Sequence, residues 1–177
     1  ITICRNYSGK IECQYDSIGM GTNVKSEYNR LTADDEIIDA KDLPFIPWNA
    51  GSGVLQPYEH IIPDDDESLM NIDFFDNLKA QAWWSIRTRF FKTFKAVTEG
   101  AVYPADDLIS IDSEMPLLDQ LCKELAQPTK GQSGRLKMII EKKPPGTKSP
   151  NLADSGVQAY HPVPHKDGQI ILGNYGH

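Results

Sequence analysis

The sequence predicts an α/β domain, and three features predict it. Short apolar runs bounded by turn residues open the chain. One long stretch repeats its apolar residues at helical spacing. A later stretch alternates them after a glycine-containing turn.

In chain order, residues 1–5 and 11–15 read as short strands, with Ser8-Gly9 between them as a turn signal. The second run ends in Asp16, and Ser17-Ile18-Gly19-Met20-Gly21 follows. Residues 24–31 predict a helix with Val24, Tyr28 and Leu31 on one face. Residues 43–48 form an apolar run interrupted by Pro44 and Pro47, which suits a buried or edge strand. Residues 50–72 are rich in Gly, Pro and Asp and predict a long, partly mobile loop.

Residues 75–97 give the clearest helix. Phe75, Leu78, Ala82, Ile86, Phe90, Phe94 and Val97 recur every three or four positions as one apolar stripe, and Gly100 stops the helix. Residues 107–112 are a short apolar stretch. A helix is expected from Ser113, with Pro116 three residues on, to about Ala126. Residues 127–143 predict a hairpin with residues 130–134 at its tip and Leu136, Met138 and Ile140 alternating on one face. Pro144-Pro145-Gly146 breaks the chain. Ser149 as N-cap and Pro150 at the first helical position then open a last helix, with Asp154 in its second turn. One more strand is expected at residues 169–172.

A length of 177 residues fits a single domain over 1–177, and 40% hydrophobic content supports a core. No apolar run approaches the ~20 residues that span a bilayer, and the start of the chain has no secretory-leader pattern. Cys4, Cys13 and Cys122 are odd in number and form no CxxC pair, so they read as core or near-core thiols rather than a disulfide frame or zinc site.

The net charge of −7 argues against nucleic-acid binding, but the charges are unevenly placed. Acids crowd into residues 34–42 and 59–76. Residues 77–98 hold Lys79, Arg87, Arg89, Lys92 and Lys95 and no acid. Residues 127–150 hold Lys130, Arg135, Lys137, Lys142, Lys143 and Lys148 against Glu141 alone. A local positive surface can hold phosphate on an acidic protein, although two solvated faces give the same pattern.

Two acids stand out as candidate metal ligands. Magnesium takes oxygen ligands, so a site for it needs carboxylates from separate elements. Two such ions about 3.5–4 Å apart can serve phosphodiester hydrolysis. Asp16 lies where a strand ends, the usual place for sites in open α/β sheets, and the small residues after it allow close approach of a substrate backbone. Asp154 lies near a helix N-terminus, where negative charge is favoured. Each also has an ordinary reading: a turn or capping aspartate for Asp16, a helix-face acid for Asp154. The run Asp64-Asp65-Asp66-Glu67 reads as a solvated loop, and Trp83 and Trp84 read as core packing more than base stacking. His161 and His165 are four apart, but Pro162 and Pro164 forbid the helix that would align them. Ser17 is either a hydrogen-bond support for Asp16 or a turn residue.

Four segments resemble phage large terminases. Tyr15-Asp16-Ser17-Ile18-Gly19-Met20-Gly21 resembles the segment carrying that family's second catalytic acid, and Lys148-Ser149-Pro150-Asn151-Leu152-Ala153-Asp154 the segment carrying its last. Residues 77–84 with Arg87, Arg89 and Phe90 resemble a long helix of the family, and Leu108-Ile109-Ser110-Ile111 the run after it. The matches stand in family order from Tyr15 to about Tyr160.

The resemblance implies an RNase H-like fold: a mixed central sheet flanked by helices, here with a basic β-hairpin towards the C-terminal part. It implies Asp16 and Asp154 as catalytic metal ligands for Mg2+ or Mn2+ in a two-metal site. It further implies cleavage of concatemeric double-stranded DNA during packaging; the placement of the basic residues, read by itself, offers Lys130, Arg135, Lys137, Lys142, Lys143, Lys148, Arg87 and Arg89 as the grip on that DNA. The implied partners are double-stranded DNA, the portal protein, the small terminase subunit and sister copies. The implied location is the host bacterial cytoplasm, outside the mature virion.

The family's first acid lies on the first strand, yet residues 1–5 hold no Asp or Glu, so part of the N-terminal strand region is expected to be missing. No GxxxxGK[ST] phosphate loop occurs, so an ATPase domain is not expected. The alternative is a non-cutting DNA-binding or assembly module, or a prophage remnant, that keeps the fold.

Overall fold

The computed structural model describes residues 12–18, 23–33, 44–141, 143 and 145–161. The strands expected at residues 1–5 and 169–172 lie outside them. The chain divides into two units, one of Ile1–Ala50 with Pro162–His177 and one of Gly51–His161.

The first unit pairs β1 (Cys13–Asp16) in parallel with β2 (Phe45–Trp48), and α1 (Val24–Ala33) lies between them in the chain. The parallel register sets Cys13 opposite Phe45 and Asp16 opposite Trp48. Ile46 and Trp48 are buried. Phe45 stacks on both Tyr15 and Tyr28, at 4.9 and 4.5 Å between ring centroids, which ties the strand pair to α1. The expected helix is therefore present, although Val24 on its expected face is exposed.

The second unit is built around α3 (Leu78–Glu99). Asn77 caps its start by accepting the Ala80 amide at 3.0 Å. Gly100 ends it in the left-handed conformation, φ 70°, which an L side chain adopts at a cost. The apolar stripe is buried only in its first half, through Leu78, Ala82 and Ile86. Phe90, Phe94 and Val97 are exposed, against expectation. Phe75 also departs from the expected helix. It lies before the cap, bridges to Met138 and packs in a cluster with Ala80 and Met138, flanked by Val54, Ile61, Phe74, Trp84 and Ile140.

The segment expected as a loop is tied down by hydrogen bonds. His60 bridges Met70. The Gln81 side chain acts as a backbone partner for Leu55, giving 2.9 Å to its carbonyl and taking 2.7 Å from its amide. The Asn71 side chain donates to the Gln56 carbonyl at 3.0 Å. A short helix, α2 (Asn71–Phe74), closes the segment.

After α3, a 3-10 turn at Ala105–Asp107 leads into an extended stretch. Ile109 there is buried, and its amide donates to Thr93 Oγ1 at 2.9 Å. The helix expected from Ser113 begins later, as α4 (Leu118–Leu125). Asp112 Oδ1 accepts the Glu114 amide at 2.9 Å, and this local turn delays the helix.

The hairpin pairs β3 (Lys130–Gln132) antiparallel with β4 (Met138–Ile140). Lys130 is thus on a strand and not at the tip, which is formed by residues 133–137. There Ser133 donates its amide to the Lys137 carbonyl at 2.8 Å, and Leu136 takes φ 62° and is exposed. Only Met138 of the expected apolar alternation is buried. The last helix is α5 (Asn151–Tyr160), with Asp154 in its first turn. The chain is thus mixed α/β as expected, and among the described residues each unit holds a two-stranded sheet, parallel in the first and antiparallel in the second.

Candidate metal and nucleic-acid site

Asp16 belongs to the first unit and Asp154 to the second. The C-terminal end of β1 presents Asp16 exposed, directly before the turn. Its Oδ1 accepts the Ile18 amide at 2.9 Å, the turn role that an aspartate at this position commonly takes. Ser17 does not brace it. The Ser17 hydroxyl donates to the Trp48 carbonyl at 3.2 Å.

Asp154 is half-buried on α5, and its amide donates to the Pro150 carbonyl at 2.8 Å. The helix that carries it is not capped as expected. Pro150 stands at the N-cap with no side-chain hydrogen bond, and Ser149 does not fill the role. Glu124 of α4 does so, its Oε2 accepting the Leu152 and Ala153 amides at 2.7 and 3.1 Å. Gln120 donates to its other oxygen at 2.7 Å. That hydrogen bond, and then the two amides, hold the Glu124 carboxyl below the usual carboxylate range against some desolvation. Sequence reading missed Glu124 because a cap from another helix leaves no local signature.

Carboxylate oxygens are the donors that magnesium and manganese prefer, so Asp16 and Asp154 suit such an ion chemically. Among the described residues, no group of three or more His, Cys, Asp or Glu gathers at a metal-holding geometry. Asp64, Asp66 and Glu67 are exposed, while Asp65 Oδ1 accepts the Glu67 amide at 3.1 Å, as suits a solvated turn. Cys122 is exposed and so is not the core thiol expected.

The expected DNA-gripping cations fall into two groups. Several are engaged within the unit. Arg89 donates to the Asp106 and Leu108 carbonyls and lies 5.5 Å from the Tyr160 ring. Lys137 reaches the Ile72 carbonyl and Lys143 the Thr147 carbonyl, both at 2.6 Å. Arg135, largely exposed, stands 3.9 Å from Asp76.

Arg87, Lys130 and Lys148 are exposed, and Lys142 lies outside the described residues. Arg87 and Lys130 converge on Trp84, at 4.8 and 5.8 Å from its ring centroid. Trp83 is core, as expected, whereas Trp84 is half-buried with cations at its ring. An open cavity of about 520 Å³ is lined by Lys130, Asp73 and Gln132 together with the apolar Leu69, Phe74, Leu136 and Met138.

His161 ends α5. Burial, with the Arg89 charge adding to it, lowers its pKa to about 4, so it is neutral at neutral pH. No described helix is long and apolar enough to cross a membrane.

These elements define a mixed α/β fold. In particular, the chain has the fold of the nuclease domain of a phage large terminase. It superposes on that domain of the large terminase subunit gp2 of bacterial virus Sf6 with a TM-score of 0.75, at 21% identity, over 93% of this chain and 70% of that one. A point mutant of the same domain with manganese gives a TM-score of 0.73 at 21% identity, over 90% and 69%. The mutant with calcium gives 0.73 at 21%, over 90% and 68%. No protein-family model matches the sequence, and no curated protein does.

Proposed function

We propose that this chain is the nuclease part of a DNA-packaging terminase, a divalent-metal-dependent endonuclease that hydrolyses duplex DNA with little base specificity. The observation that carries the reading is the superposition on a terminase nuclease domain over 93% of the chain. The metals bound by that neighbour, manganese and calcium, are oxygen-seeking ions suited to an aspartate site.

In this reading Asp16, from a strand end, and Asp154, from a helix start, are ligands for Mg2+ or Mn2+. When bound, such ions supply Lewis acidity at the phosphate and make an attacking water more acidic. The carboxylates fix where the scissile phosphate docks. Glu124 acts through Asp154 by fixing the first turn of its helix, a positioning role. Lys130, Arg135, Lys137, Lys142, Lys143, Lys148, Arg87 and Arg89 are the proposed grip on the DNA backbone. Of these, Arg89, Lys137 and Lys143 would exchange backbone carbonyls for phosphate oxygens. The proposed setting is the host bacterial cytoplasm, with the portal, the small terminase subunit and sister copies as partners.

Plasmid nicking in magnesium or manganese tests the reading, with Asp16→Asn and Asp154→Asn as controls. Nicking lost in both variants is the expected result. DNA binding without nicking by the unaltered chain would instead make it a non-cutting packaging module.

A further inference from the structure

We propose that Trp84 organises a subsite for one backbone phosphate of nucleic acid, with Arg87 and Lys130 as its two contacts. The inference deepens the nuclease reading and rests on it. Arg87 comes from the next turn of α3 and Lys130 from the start of β3, so two elements deliver cations to one indole, at 4.8 and 5.8 Å. The indole is itself fixed. Phe74 and Phe75 meet it edge-on at 5.3 and 6.4 Å, and Phe75 belongs to the core.

Four described cations have carboxylate partners: Arg30 with Glu27, Lys92 with Asp107, Lys95 with Glu99, and Arg135 near Asp76. Arg87 and Lys130 have none among the described residues, and both are exposed. Two like charges held near one ring repel each other, and a bound anion offsets that repulsion. Tryptophan is the strongest aromatic seat for a cation, and both cations remain exposed to solvent. The planar fork of arginine and the point charge of lysine suit the oxygens of a phosphodiester.

The test is duplex DNA binding by the full chain across a salt series, using Arg87→Met, Lys130→Met, Trp84→Leu and Trp84→Phe. Lys123→Met, an exposed lysine on α4, is the control for loss of one charge. Arg87→Met and Lys130→Met should each weaken binding several-fold and reduce the slope of log K against log salt by about one. Trp84→Leu should weaken binding like the two together, and Trp84→Phe should restore most of the loss, which a purely structural role would not predict for the salt slope. Should Trp84→Leu fail to fold, the two cation variants still decide. Slopes and affinities equal to those of Lys123→Met would overturn the subsite. Displacement of DNA by low inorganic phosphate would overturn the backbone assignment in favour of a free-phosphate site. An unaltered chain that binds no DNA would defeat the nuclease reading. A chain that binds and nicks, with variants matching the control, would defeat the subsite alone.

Discussion

Lowering the pH should destabilise the larger unit through His161 before its carboxylates titrate. In the unfolded chain this imidazole takes a proton near its ordinary pKa of about 6.5. In the folded chain, burial and the neighbouring Arg89 hold the pKa to about 4. Between those values the unfolded state binds the extra proton, so stability rises with pH across that window. The contribution is complete above the unfolded pKa and is lost as the pH falls towards the folded one. From pH 7.5 to 5 the linkage amounts to roughly 2 kcal/mol. With an m-value of about 2 kcal/mol per molar, that moves a urea midpoint by about 1 M.

The assay is urea unfolding at both pH values, followed by far-UV circular dichroism, which reports the 22-residue helix α3. His161→Gln, which cannot titrate, should lose about 2 kcal/mol less than the unaltered chain over the same interval. The paired comparison cancels the other titrating groups. Equal losses in the two proteins, or an NMR titration placing His161 near its ordinary pKa, would refute the reasoning.

Leu78, 1% exposed at the start of α3, should cost about 2–5 kcal/mol as Leu78→Ala in the same unfolding assay. Asn77→Ala removes the cap on the Ala80 amide and should cost about 1 kcal/mol, with the first turn of α3 exchanging its amides faster. Glu124→Ala should speed hydrogen exchange at the Leu152 and Ala153 amides while leaving α3 protected; unchanged exchange there would remove Glu124 from its capping role.

The elements that were legible carried a local signal. Apolar spacing revealed α3, and Gly100 marked its end, because a left-handed residue after a helix favours glycine. The same spacing could not say how far the stripe stays covered. Periodicity tells which side chains share a face, and only tertiary packing tells that Leu78 and Ile86 are buried while Phe94 and Val97 are exposed. Phe75 kept the helical rhythm yet lies outside the helix, since Asn77 takes the cap and the chain before it bridges to Met138. The hairpin was readable from its turn residues, but its tip was displaced because the Ser133 hydroxyl accepts the Arg135 and Lys137 amides and closes the turn there.

At the site, Asp16 at a strand end and Asp154 at a helix start were both legible as positions. The Glu124 cap and the Arg87–Trp84–Lys130 arrangement were not. Each joins residues from different elements, and neither leaves a motif in the sequence.

The central proposal is that Asp16 and Asp154 are both metal ligands. Iron-directed scission measures this most directly: ferrous ion replaces the native cation, ascorbate and peroxide are added, and mass spectrometry maps the backbone cuts. The account predicts cuts beside both positions in the unaltered chain, loss of those beside position 16 in Asp16→Asn, and loss of those beside position 154 in Asp154→Asn. Cuts beside only one of the two aspartates, or a pattern untouched by Asp16→Asn, would contradict it.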